Sequence, residues 1–142
     1  MKEVGFALRK INTEEFATID TEVVNVNDIQ LNINNGFGIN EENKLVACYF
    51  HLQFELNESP FIILKLNCEF EIDESAWESF VTSKNRIKFK KAFLQHLAVI
   101  TIGTARGVLH AKTENTLYNK FHLPTINVLE MIKKDEIFDL EK

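Results

Sequence analysis

Proline and glycine are scarce, two and five in 142 residues, so the chain is neither collagen-like nor a flexible Pro/Gly tract. Only two cysteines occur, Cys48 and Cys68, with no C-x-x-C spacing. That excludes a disulfide-dense scaffold and a zinc ribbon. Buried free thiols in a reducing cytoplasm are expected, with a bridge between adjacent strands as the alternative. Basic residues are in the minority: 16 Lys+Arg against 21 Asp+Glu leave a net charge of −5. This balance argues against nucleic acid as a partner, because clustered cations supply most of that affinity. No run approaches 18 uninterrupted apolar residues, and the longest, 97–102, contains Thr101. No membrane insertion is expected from it. Residues 1–6 carry no signal-peptide pattern, so a cytoplasmic location is the expectation.

Catalytic signatures are missing too. There is no glycine-rich phosphate loop, nucleophile elbow or H-E-x-x-H, and His51, His96, His110 and His122 have no common metal spacing. The expectation is a protein that is not an enzyme and needs no metal or cofactor.

What is present is alternation. Residues 3–12 read as a first strand, with Val4, Phe6 and Leu8 on one side, and 16–26 as a β-branched stretch bending into a crossing loop. Ile29, Leu31 and Ile33 alternate with amides up to Gly36-Phe37-Gly38. Residues 45–56 alternate most cleanly, Val46, Cys48, Phe50, Leu52, Phe54 and Leu56 opposing Tyr49, His51, Gln53 and Glu55. Asn57-Glu58-Ser59-Pro60 reads as a hairpin loop, and Ile62 to Ile72 as its partner strand. Four successive strands with short loops predict an antiparallel sheet with one buried face. Near Asp73 the period changes. A short helical turn at 73–77 is expected, then a long helix over 85–107 capped by Thr82 or Ser83, and a short C-terminal helix at 127–133. The fold class is therefore α+β, one domain over 1–142, with a four-stranded antiparallel sheet and both helices on one face. Beyond Leu94 the long helix is apolar nearly all round, more than one sheet face can cover. An inter-subunit surface at Leu97, Ile100, Gly103 and Gly107 is expected, the two glycines allowing close approach. Twelve phenylalanines are more than the core needs, and Phe37, Tyr49 and Phe121 fall outside its pattern. An exposed apolar groove is the competing explanation.

The end of the long helix reads Thr104-Ala105-Arg106-Gly107, and later come Leu123-Pro124-Thr125-Ile126-Asn127-Val128. With four antiparallel strands before them, and the opening Leu8-Arg9-Lys10-Ile11-Asn12-Thr13-Glu14-Glu15, these resemble the SecB family of protein-export chaperones over residues 3–134. In that family a greasy helix ends in a Ser-Arg-Gly-type stop, and a proline loop leads into the last helix. Here the loop after Gly107 is longer, the proline sits one place earlier, and the tryptophan of the crossing loop has no counterpart, since Trp77 follows strand four. The resemblance implies an ATP-independent holdase for unfolded clients, a homotetramer built as a dimer of dimers, and delivery to the SecA motor. Its client groove would draw on Val23, Val24, Val26, Tyr49, Phe121, Leu123 and Ile126, with Phe121 on an exposed loop. The family's strand-four acid that docks SecA is replaced by Leu64 or Lys65, which leaves Glu14 and Glu15 as the docking candidates. Client holding thus carries over better than motor docking. Two alternatives stand beside it: a SecB-like chaperone dedicated to one partner of toxin–antitoxin type, and a small-molecule-binding α+β domain with His51, Tyr49 and Gln53 on one strand face.

Overall fold

The computed structural model describes residues 5–20, 28–83 and 85–140. Four long strands, β1 (Phe6–Thr18), β2 (Ile29–Asn40), β3 (Leu45–Leu56) and β4 (Ser59–Ile72), form an antiparallel sheet in the order β1-β4-β3-β2. The α+β fold read from the sequence is the one observed. The β3–β4 hairpin turns on Asn57 and Glu58, both at positive φ (52° and 67°), the backbone of a two-residue primed turn. Every second residue of β4 from Ile62 to Ile72 is buried, which gives the sheet one dry face and one wet face.

Strand β1 departs from simple alternation. Its register on β4 shifts between Leu8 and Lys10 and again between Thr13 and Glu15. Each shift is a β-bulge, where two residues oppose one. Phe6, Leu8, Ile11, Thr13 and Phe16 therefore all sit opposite dry-face residues of β4, although their spacing is not uniformly two. The strand runs six residues past the expected end at 12, because the pattern continues across the second bulge. Val4, and the part of the crossing stretch at 21–27, lie outside the described residues.

After β4 come α1 (Glu74–Phe80), two short strands β5 (Val81–Ser83) and β6 (Arg86–Phe89), the long helix α2 (Lys91–Thr113), a 3-10 turn at Leu117–Lys120, α3 (Val128–Met131) and β7 (Glu136–Asp139). β5, β6 and β7 make a second, three-stranded sheet that the sequence reading did not anticipate. The expected helix 85–107 is shifted as a result. Arg86 to Phe89 pair with Glu136 to Asp139, and Ile87 and Phe89 are fully buried, so the helix starts only at Lys91. Thr82 and Ser83 lie in β5 instead of capping it. The first turn is held by a distant residue, since Lys91 N–H donates to Asp135 Oδ1 at 2.8 Å. That bond at a helix N-terminus holds the Asp135 carboxyl below its ordinary range, with Lys88 adding to the effect. Gly107 does not end the helix, which continues six residues further to Thr113.

Helix α2 lies across the dry face of the large sheet. Leu94, Leu97, Ala98, Thr101, Ile102, Ala105 and Leu109 are buried there. By length and apolar content α2 would suffice to cross a bilayer, and 39% of its most apolar window is buried in this fold. Cys48 and Cys68 face each other across β3 and β4 under Thr101, both buried and free. Burial pushes the Cys48 thiol up to about 12, which leaves it almost no thiolate at neutral pH.

Candidate functional site

The wet face of the sheet is a hydrogen-bonded lattice. Glu14 Oε1 accepts from Asn67 at 2.6 Å, and Glu15 pairs with Lys65 at 3.2 Å. The second bulge lets both glutamates reach this face. Arg9 pairs with Glu71, and Asn12 donates to Asn67 and Glu69. Leu64 is fully buried, so Lys65 is the outward residue opposite Glu15. The strand-four carboxylates lie farther along, at Glu69 and Glu71. Tyr49 is also on this face, its ring over Gly38, where a Cβ would stand 3.2 Å from the hydroxyl. Between β2, β3 and β4 a 390 Å³ depression is lined by Asn34, His51, Gln53 and Lys65, among others. His51 Nε2 is buried there without a hydrogen-bond partner.

The dry face is closed at the β3–β4 end by the segment after α2. Phe121 sits 5.1 Å from Phe61 and 5.7 Å from Phe54 (ring centroids), and Tyr118 packs on Phe61. The Tyr118 hydroxyl reaches Ile19 O at 3.3 Å and Asp20 at 3.4 Å, and burial raises its pKa. Phe121 and Leu123 are 5% and 4% exposed. The expectation of an exposed loop aromatic is therefore corrected: an aromatic in a loop buries as much surface as one in a strand when the loop folds back on the sheet. Arg106 gives the Thr104–Gly107 motif a role inside α2, because its guanidinium donates to Leu123 O at 3.3 Å and Pro124 O at 3.0 Å. It ties the loop carbonyls to α2. Of the remaining expected groove residues, Ile126 is half-buried and Tyr49 lies on the opposite face of the sheet. Val23, Val24 and Val26 lie outside the described residues.

The structure brings together a different set. Beside β2, residues 35–37 and 131–134 with Glu136 line an open trough of 350 Å³, with Phe37, Met131 and Ile132 as its apolar part. Its far wall is fixed: Gln95 donates to Ile132 O at 2.8 Å, Asn127 caps α3 through Leu129 and Glu130 N–H, and Asp135 holds the start of α2. Nearby on β2, Ile33 belongs to the dry-face register yet is 38% exposed. β2 is a terminal strand of the sheet, paired over all twelve positions to β3 without a bulge and carrying no charged residue. Among the described residues its other edge pairs with no strand, and an edge strand of that kind offers backbone donors and acceptors to an added chain. Sequence reasoning noticed Phe37 as surplus to the core. It missed the wall, which lies about a hundred residues further along the chain.

A second uncovered surface runs beside α2. Leu8 and Ile11 are 40% and 47% exposed, and Val99 is 57% exposed. Gly103 and Gly107 are exposed, with open space where a Cβ would stand. Leu97, by contrast, is fully buried against the sheet and has no surface to offer a partner; that expectation is corrected. Ile100 is half-buried between the two. His96 makes an edge contact with Phe6 at 5.4 Å. Among the described residues no group of three or more His, Cys, Asp or Glu is placed to hold a metal ion.

No protein-family profile and no curated protein matches the sequence. Solved structures do match. A SecB-like chaperone of Mycobacterium tuberculosis, in complex with a peptide from an antitoxin, superposes with a TM-score of 0.54 at 7% identity, covering 86% of this chain and 91% of that one. A protein of unknown function from Streptococcus agalactiae gives 0.42 at 13% identity, over 89% and 99% of the two chains. At 7% identity the likeness to the Mycobacterium tuberculosis protein lies in the path of the chain, four antiparallel strands followed by a long helix across one face, and that path is the SecB-like fold.

Proposed function

We propose that this protein is a holdase: it keeps non-native polypeptide from aggregating by binding extended segments along β2, without nucleotide or metal. The observation that supports this reading is the twelve-residue strand β2, terminal, uncharged and unbulged, beside a trough with Phe37, Met131 and Ile132 among its lining. Monomeric proteins protect such edges, because any extended chain can add to them. Strand addition satisfies the backbone of a client whatever its sequence, while the trough takes one apolar side chain. A holdase needs no chemistry; it binds the unfolded state and so withdraws it from aggregation.

The uncovered strip formed by Leu8, Ile11, Val99, Gly103 and Gly107 supports self-association. We place the subunit contact of a homo-oligomer there, the tetramer of the resemblance being the expected form. Glu14 and Glu15 remain the docking candidates for a SecA motor. Both are already engaged, by Asn67 and Lys65, so such docking should be weaker than where a carboxylate replaces Lys65. The antitoxin peptide carried by the Mycobacterium tuberculosis protein favours a second reading, in which one dedicated partner replaces general clients. A refolding assay separates the two. Suppressed light scattering from several unrelated unfolded proteins supports general holding. Suppression of none of them leaves the dedicated partner or the small-molecule alternative.

A further inference from the structure

The charges around β2 are unevenly spread. The strand itself has none. At its first end Asp28 and Glu58 face a shallow pocket, and past its last residue Glu41, Glu42, Glu78 and Asp139 outnumber Lys44 around another. Between these acidic ends, the trough wall brings Lys133 and Lys134 beside residues 35–37, against one carboxylate, Glu136. Both lysines are exposed, whereas Glu136 is half-buried in β7 opposite Phe89. The other acid of that wall, Asp135, is committed to Lys88 at 3.5 Å and to Lys91 N–H. On a chain of net charge −5, the trough is thus locally cationic.

We infer that the trough selects client segments that carry a carboxylate next to the apolar side chain it holds; this rests on the client-binding reading above. In a strand laid along β2, side chains on one face recur about every 7 Å. A carboxylate two positions from the anchoring apolar residue therefore projects on the same side as the anchor, within the reach of a lysine side chain. The acidic ends of β2 repel a second carboxylate placed farther out, so charge also sets the register in which the client sits. Selectivity of this kind arises at the rim, where charges steer and discriminate more than they add affinity.

Fluorescence anisotropy with labelled twelve-residue peptides tests it. Each has a central phenylalanine in an otherwise uncharged Ser/Thr/Val background, with Asp, Asn or Lys two positions to either side. The Asp peptide should bind about fivefold tighter than the Lys peptide at low salt, the Asn peptide falling between. The gap should close at about 1 M salt and reverse in a Lys133→Glu/Lys134→Glu double variant. Moving the two Asp residues to adjacent positions, on the opposite strand face, should remove the advantage. Equal or tighter binding of the Lys peptide, or an order unchanged by the double variant, overturns the charge selection while leaving client binding intact. Failure of all three peptides to bind overturns the client-binding reading and the selection with it.

Discussion

The two edges of the large sheet are built on opposite plans. β1 carries Arg9, Lys10, Glu14 and Glu15 and is bulged at both charged pairs; β2 has no charge and no bulge along its length. Charges and bulges are the devices by which natural sheets prevent a foreign strand from adding to an edge. One edge of the sheet thus carries both devices and the other carries neither. The difference teaches that the unguarded sequence of β2 is not a general property of this sheet's edges. The trough beside it, whose apolar part is Phe37, Met131 and Ile132, is where the proposed function would place a side chain of an added strand.

The harshest way to break the comparison is from beneath. Phe121→Asp would place a carboxylate among Phe54, Phe61 and the β3–β4 end of the core, at an expected cost of about 3–5 kcal/mol. Thermal melting should show a large drop, and both edges should fail together. A variant that melts like the wild type would mean that Phe121 is not packed in that core. A sharper cut is Ile33→Lys, which gives β2 the kind of charge that β1 already has. Ile33 is partly exposed, so melting should move by less than the equivalent of about 1 kcal/mol. Client affinity should nonetheless fall about tenfold, because the ammonium meets the incoming chain. Unaltered suppression of client aggregation would remove the β2 side from the site.

The converse change acts on β1. Deleting Glu14 removes the second bulge and leaves Thr13 and Phe16 two positions apart, both still directed at the dry face. The strand should pair and the sheet should fold, with a straighter and stickier edge. More concentration-dependent association than in the wild type is the expected readout from light scattering.

This part of the molecule shows what was legible and what was not. β3 and β4 announced themselves through strict alternation, and Asn127 announced the start of the last helix. The doubled charges Arg9-Lys10 and Glu14-Glu15 stand plainly in the sequence, but only the register shows that each is a bulge preserving the inward phase of Leu8, Ile11 and Phe16. β6 was hidden because residues 86–89 run into a helical pattern, and four residues carry too little period to separate the two. The trough was illegible in principle. Phe37 meets a wall at 131–136 whose residues are ordinary taken alone, and sequence separation of that size leaves no local signal. Phe121 was seen but misplaced, because a surplus aromatic looks the same whether its loop is open or folded back.

The smallest expected effect concerns pH and the trough wall. Asp135 has a lowered pKa because it accepts from Lys91 N–H. Its contribution is fully present above the ordinary carboxylate range and is lost as pH falls through the depressed folded value. Acid should therefore loosen the wall and the start of α2 together. Asp135→Asn, which keeps an acceptor but cannot titrate, should flatten that part of the acid melting profile. An identical profile in both proteins would show that Asp135 does not hold the wall.

Amide hydrogen exchange on the protein with and without an unfolded client addresses the two edges in one measurement. If client adds to β2, outward amides among residues 29–40 should become protected on binding, while those of 6–18 keep their rates, since the client's carbonyls take up only the donors of the open edge. Client held against aggregation with β2 exchange unchanged, or with new protection confined to β1, would contradict the account.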